Sequence, residues 1–354
     1  MMLLVFGLCA VLWGIGSLMG APRSARAMMI GILYVGVLAM HIALPDRHPL
    51  RLATGESPAL WLLIGGFALV IFSYRQVITR LRTRAKAVEK QSDDALDRPL
   101  FNTSELNRYA RHMVLREIGG PGQKRLKEAK VLVIGAGGLG APILQYLAAA
   151  GVGTIGVIDD DMVENANLQR QVIHRDASIG MAKVFSAQAE MTAQNPYVEV
   201  RPYNRRLTAD IADALFEEYD LVLDGTDNFD TRYLVNETAV KAGIPLISGA
   251  LSQWEGQLSV FDPAYGAPCY RCVFKSAPAA ELASSCAEAG VLGPLPGVIG
   301  TMMAVEAIKL ITDAGTPLRG QMLIYDALYG ESRTIAIKPR SDCPSCGPLQ
   351  AKAS

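Results

Sequence analysis

Three long apolar runs open the chain, and its character then changes. Leu3 to Met19 and Ala59 to Tyr74 carry no charged side chain, and Ala27 to Leu44 holds only His41. Each run is about 16–18 residues, at the short end of what crosses the hydrocarbon core of a bilayer as a helix. Arg23 and Arg26 separate the first two runs, and Asp46, Arg47, Arg51 and Glu56 lie between the second and third. Arg75, Arg80, Arg82, Arg84 and Lys86 follow the third. The positive-inside rule puts that last cluster in the cytoplasm, which leaves the N-terminus outside and the Arg23/Arg26 connection inside. The expectation is a multi-pass anchor over 1–78 in the inner (cytoplasmic) membrane. His41, near the end of a span, reads as interfacial. A cleaved signal peptide suits the first run poorly, because no basic segment precedes it and two further spans follow.

Residues 79–99 are polar and charged and read as a linker to a cytoplasmic domain over 100–354. Asn102 and Glu105 have the spacing of a capping box. Leu106, Tyr109, Met113 and Leu115 to Ile118 give that helix one apolar side, and Gly119-Gly120-Pro121 is expected to stop it. From Lys130 the pattern alternates between short apolar runs and helical stretches. Strands are expected over Val131–Ile134, Thr154–Ile158, Leu221–Leu223 and Pro245–Ser248, with an Ala-rich helix ending near Ala150. Such alternation predicts an α/β domain on a doubly wound, mostly parallel sheet. Beyond Gly249 the runs Gln257–Phe261, Met322–Asp326 and Thr334–Lys338 look antiparallel, with a Gly- and Pro-punctuated helix over Gly297–Ile311.

Charge removes one class of function. Lys and Arg number 34 and Asp and Glu 34, so no basic surplus argues for nucleic-acid binding. Of the six cysteines, Cys269/Cys272 and Cys343/Cys346 form two Cys-x-x-Cys pairs about 70 residues apart. That spacing is a tetrahedral zinc signature, and four thiolates would close the site and make it structural. Cys9 lies in the first apolar run. Cys286 stands among small residues in a stretch suited to a mobile loop; a thiol there could carry a thioester or persulfide, or be plain filler.

Gly135-Ala136-Gly137-Gly138-Leu139-Gly140 follows a strand and opens a helix. Gly135, Gly137, Gly138 and Gly140 allow a tight turn and close approach of backbone to phosphate, and the helix N-terminus favours the anion. Asp159, about 20 residues past the last glycine, can bind ribose hydroxyls. The unit is Rossmann-like, and the glycines alone do not separate NAD from ATP. Asp161, the run Asn167-Leu168-Gln169-Arg170-Gln171 and Lys183 do, because a leaving pyrophosphate needs cations that a nicotinamide enzyme does not. Asp224-Gly225-Thr226-Asp227-Asn228 ends another strand, where a carboxylate can hold Mg2+. Thr226 or Asp227 could instead cap the next helix.

With Arg108-Tyr109-Ala110-Arg111 and Cys286-Ala287-Glu288-Ala289-Gly290-Val291 added, the chain resembles the MoeB/ThiF/HesA adenylyltransferases from about Asn102 to Gly347, with motifs nearest to molybdopterin-synthase adenylyltransferase. The resemblance implies ATP over the glycine loop, Asp159 on its ribose, Arg170 and Lys183 on its phosphates and Asp227 on magnesium. It also implies a homodimer in which Arg111 reaches the partner subunit's site. The implied substrate is a small ubiquitin-like sulfur-carrier protein ending in Gly-Gly, which becomes an acyl-adenylate. The membrane runs depart from the family, and no appended sulfurtransferase segment follows the second cysteine pair, so a separate sulfur donor is expected. The alternatives are a nicotinamide-dependent oxidoreductase and a non-catalytic membrane platform for a ubiquitin-like partner. A relative that adenylates a tRNA base is a third, disfavoured by the cysteine pairs and the lack of a basic stripe.

Overall fold

The computed structural model describes residues 2–45, 48–55, 57–71, 73–76, 78, 100–277 and 290–347. Cys286 and the 79–99 segment lie outside them. The chain divides into two units, Met1–Pro99 and Leu100–Ser354.

The first unit is helical, as uninterrupted apolar sequence without Pro in the runs favours. It contains α1 (Met2–Leu18), α2 (Arg23–Ala43), the short α3 (Pro49–Thr54) and α4 (Pro58–Gln76). Val5, Val37 and Trp61 form a small internal cluster, whereas Leu4, Phe6, Ile32, Phe67 and Leu69 are exposed. Helices so apolar on their outer faces match a hydrocarbon surround better than water. By length and composition α2 and α4 could each cross a bilayer, and α1 contains a shorter apolar stretch, Leu4–Leu18. The polar connection after α2 folds into α3. His41 turns inward there and shares a 3.0 Å hydrogen bond with Thr54 Oγ1, while Arg51 donates to the Leu44 carbonyl at 2.8 Å.

The second unit is an α/β domain. Among the described residues its strands number eight: β1 (Lys130–Ile134), β2 (Thr154–Ile158), β3 (Glu199–Tyr203), β4 (Leu221–Asp224), β5 (Leu246–Leu251), β6 (Glu255–Phe261), β7 (Gln321–Asp326) and β8 (Glu331–Ala336). They lie in the order β3-β2-β1-β4-β5-β6-β7-β8. Pairing is parallel from β3 to β5 and antiparallel from β5 to β8. Alternation along β1 sends Val131 and Val133 into one core, with Leu144, Leu147, Ile299 and Met303, and Leu132 and Ile134 into a second, with Phe216 and Val235. Both faces of the parallel part are therefore covered, which is why its strands read as continuous apolar runs.

Among the described residues the helices of this unit are α5 (Thr103–Met113), α6 (Gly119–Glu128), α7 (Gly140–Ala150), α8 (Lys183–Gln194), α9 (Ala209–Phe216), α10 (Phe229–Ala242), α11 (Tyr270–Val273) and α12 (Pro294–Thr312). The capping box of Asn102 and Glu105 is formed. Gly119-Gly120-Pro121, however, opens α6 instead of ending a longer helix. Gly119 takes φ +57°, and Pro121 falls in the first turn, where its missing N–H costs nothing. α12 is also apolar and long enough to span a bilayer, but half of its apolar window is buried inside the domain. It packs on α7, β5 and β6, so its hydropathy reflects a core position. The last strand begins earlier than Thr334, at Glu331, in register with β7.

Candidate functional site

At the switch between β1 and β4 the strand order reverses, and there the crevice of an open α/β sheet receives its ligand. Two loops border it. The first runs from β1 to α7. Gly135 adopts φ +92°, and a Cβ on Gly140 would lie 2.0 Å from the Gly135 carbonyl oxygen, so both positions require glycine. The N-terminus of α7 faces out of this turn with its partial positive charge.

Asp159, directly after β2, accepts from the Ala136 N–H at 2.7 Å and the Asp161 N–H at 2.8 Å. Burial raises its carboxyl above the ordinary value of 3.8, opposed by the nearby Lys183 ammonium and the two backbone donors. Lys183 begins α8 and is 5 % exposed. Its Nζ lies 2.7 Å from Asp161 Oδ2, and its N–H bonds the Asp161 carbonyl at 3.0 Å. Asn167 and Gln171 are buried and bonded to each other at 2.8 Å. This segment borders the glycine loop: a Cβ at Gly137 would meet Gln171 Nε2, and one at Gly138 the stem of Arg170, each at 3.8 Å. Arg170 itself donates to the Ala166 carbonyl at 3.1 Å.

The second loop follows β4. Asp224 is fully buried, accepting from Thr226 N–H at 3.0 Å, Thr226 Oγ1 at 2.7 Å and Ser248 Oγ at 3.3 Å. Arg232, which the sequence did not single out, fastens the loop to β5. It donates to Ser248 Oγ at 3.2 Å, to the Gly249 carbonyl at 2.8 Å and to the Thr226 carbonyl. The cap of α10 is Asn228, whose side chain accepts from Thr231 N–H at 2.8 Å, rather than Thr226 or Asp227. Asp227 is thereby left exposed, with no ion pair among the described residues. A Cβ on Gly135 would come within 3.6 Å of Gly225, so the two loops touch.

A second residue that sequence reading missed is His174. It is buried and bonds the Ala136 carbonyl through Nε2 at 2.9 Å and Ser186 Oγ through Nδ1 at 3.0 Å. No hydrogen bond or ion pair among the described residues joins Arg111 to these groups: it is exposed near the end of α5.

The cysteine pairs converge away from the loops, at α11 and the C-terminal turn. Sγ separations are 3.9 Å for Cys269–Cys272, 3.6 Å for Cys269–Cys343 and 3.3 Å for Cys272–Cys346. All four sulfurs lie within 4.8 Å of one another and all four residues are buried. Burial, reinforced by Cys272, pushes the Cys269 thiol up to about 12. Four soft donors at this spacing could hold a metal ion, whose charge would stabilise their thiolate forms.

Comparison with known proteins agrees with this geometry. A sulfur carrier protein adenylyltransferase of Thermus thermophilus is 49 % identical over 251 residues, covering 70 % of this chain and 93 % of that protein. The SAMP-activating enzyme E1 of Haloferax volcanii is 46 % identical over 247 residues, covering 70 % and 91 %. The probable adenylyltransferase/sulfurtransferase MoeZ of Mycobacterium tuberculosis is 51 % identical over 247 residues, 69 % of this chain but only 63 % of MoeZ. In fold, crystalline E. coli MccB superposes with TM-score 0.61 at 23 % identity, over 70 % of this chain and 76 % of MccB. The ThiF family profile matches residues 109–345. The chain belongs to the ThiF family.

Proposed function

We propose that this protein is an adenylyltransferase, which uses ATP to activate the C-terminal carboxylate of a small ubiquitin-like sulfur-carrier protein. The observation that carries the reading is Lys183: a nearly buried ammonium held by Asp161 beside a glycine loop whose ribose-side acid is Asp159. An ammonium so placed meets the charge that grows on departing phosphates, a demand that hydride transfer does not make. The identity to the Thermus adenylyltransferase over nearly all of that protein's length supports the same activity.

The carrier's terminal carboxylate oxygen attacks the α-phosphorus. The new O–P bond forms as the bond from that phosphorus to the bridging oxygen breaks, and pyrophosphate carries the electron pair away. A carboxylate is a nucleophile at neutral pH, so no general base is needed. Backbone N–H groups of the loop and the α7 N-terminus bind the triphosphate, Asp159 orients the ribose, and Lys183 and Arg170 stabilise the departing charge. Asp227, an exposed hard-oxygen donor with no ion pair among the described residues, would hold Mg2+, which supplies charge neutralisation on the phosphates. Cys269, Cys272, Cys343 and Cys346 would hold Zn2+, a structural tie between α11 and the C-terminal turn.

Two further features belong to the reading. Arg111, exposed and unpaired among the described residues, completes the site of a second copy in a homodimer. The helices of the first unit anchor the chain in a membrane, with the Arg75–Lys86 cluster and the enzyme on the cytoplasmic side. Equilibrium binding of ATP and NAD to the full chain tests the central reading. ATP binds and NAD does not; the reverse order of affinity returns the site to a nicotinamide enzyme.

A further inference from the structure

Ala136 is held through both of its backbone polar groups, which belong to successive peptide units. Its N–H is given to Asp159 at 2.7 Å, and its carbonyl accepts from His174 at 2.9 Å. A carbonyl can only accept, so His174 Nε2 carries the proton, and Nδ1 takes the Ser186 hydroxyl at 3.0 Å. Ser186 lies on the first turn of α8, three residues after Lys183. The contacts close into a ring: Ala136 to Asp159, Asp159 to Asp161, Asp161 to Lys183, along α8 to Ser186, and through His174 back to Ala136.

One consequence concerns the next peptide group. Ala136 and Gly137 share a trans peptide, in which C=O and N–H point in opposite directions. With the Ala136 oxygen held inward on His174, the Gly137 N–H is turned away from the buried imidazole. No hydrogen bond among the described residues uses that N–H. Glycine at 137 offers no side-chain barrier to rotation of this peptide, so an unheld carbonyl could swing outward and present an oxygen to the triphosphate.

We propose that His174 is a positioning residue for nucleotide binding: its Nε2–H locks the Ala136–Gly137 peptide so that Gly137 offers an N–H, and not a carbonyl, to a phosphate of ATP. The inference rests on the adenylyltransferase reading. The accept-only Ala136 carbonyl sets the tautomer, Ser186 holds the other side of the ring, and because Ser186 and Lys183 share one turn of α8, the loop and the cation are held in register.

The test uses the full chain in detergent and has two readouts. First, ATP is titrated without carrier against wild type, His174→Ala, His174→Gln and Ser186→Ala. The dissociation constant rises about tenfold in His174→Ala, the scale of one lost hydrogen bond to a charged system. It rises less in Ser186→Ala, and His174→Gln, whose amide N–H can reach the same carbonyl, recovers most of the affinity. A role confined to folding lowers the fraction of competent protein but leaves the affinity of that fraction unchanged, and that result overturns the proposal. Second, 15N-histidine spectra of the wild type separate four residues, and His174 appears as the neutral Nε2–H tautomer at neutral pH. The Nδ1–H tautomer or an imidazolium contradicts the proposal even if every variant fails to fold. Wild type that binds no ATP refutes the adenylyltransferase reading instead, a failure distinct from equal binding by wild type and His174→Ala.

Discussion

Lys183 Nζ lies 2.7 Å from Asp161 Oδ2, with the lysine side chain 7 % exposed and the carboxylate 65 % exposed. The ammonium is thus fixed from the protein side, and its counter-charge faces solvent. On the proposed reading, a triphosphate entering the crevice would meet a cation already oriented, with Asp161 able to relax into water. Orientation prepared before binding is where most of the stabilisation in phosphoryl and adenylyl transfer arises.

Lys183→Ala removes that cation. It lowers kcat/KM for adenylation by about 10²–10³, by analogy with a lost donor at a developing anion. Lys183→Arg, longer and planar, does not restore the point charge at the same place and recovers only part. Steady-state kinetics with ATP varied check this, and a loss under threefold would remove Lys183 from the mechanism.

The four sulfurs act as a unit. Cys343→Ser leaves three thiols and abolishes stoichiometric zinc, and the stability it removes is of the order of 10 kcal/mol. The variant is expected to lose its cooperative melting transition, as is wild type treated with a strong chelator. Metal analysis beside thermal melting distinguishes this outcome from a merely reduced, metal-independent core.

Stability depends on pH through His174. Burial is the main cause that lowers its pKa below 6.5, so the folded state keeps it neutral while the unfolded chain takes up a proton. The contribution is fully present above 6.5 and is lost as pH falls through that value towards the lower folded pKa. Within that window wild type loses up to about 1.4 kcal/mol per pH unit relative to His174→Gln. Parallel melting curves of the two proteins between neutral and mildly acidic pH would show the excess slope in wild type; identical slopes contradict a buried neutral imidazole.

What the sequence made legible were features whose chemistry is local. The glycine loop, Asp159 and the two cysteine pairs announce themselves by residue type and spacing, and the fold puts each where that spacing implies. Residues whose partners are distant gave no such signal. His174 works through Ala136 and Ser186, and Arg232 through Ser248 and Gly249, contacts that exist only once the strands are laid side by side. β3 was missed because its EVRPY sequence sits at the edge of the sheet, half-buried and without an apolar run. Gly-Gly-Pro stops one helix and can equally begin another, which is why the stop expected at Gly119 is in fact the start of α6. Hydropathy is ambiguous in the same way: α12 and α2 are alike in composition, and only packing separates a core helix from a candidate span.

Topology offers an independent check. A reporter fused after Tyr74 is expected to register as cytoplasmic, because the Arg75, Arg80, Arg82, Arg84 and Lys86 cluster resists translocation. A periplasmic signal reverses the orientation and separates the enzyme from its ATP.

Pyrophosphate–ATP exchange, measured on the full chain with candidate carriers from the same genome, tests the central claim most directly. Exchange should require both a carrier and its terminal glycine, and should fall by about 10² or more in Asp227→Asn. Exchange that proceeds without any carrier, or that survives unchanged in Asp227→Asn, would contradict the account.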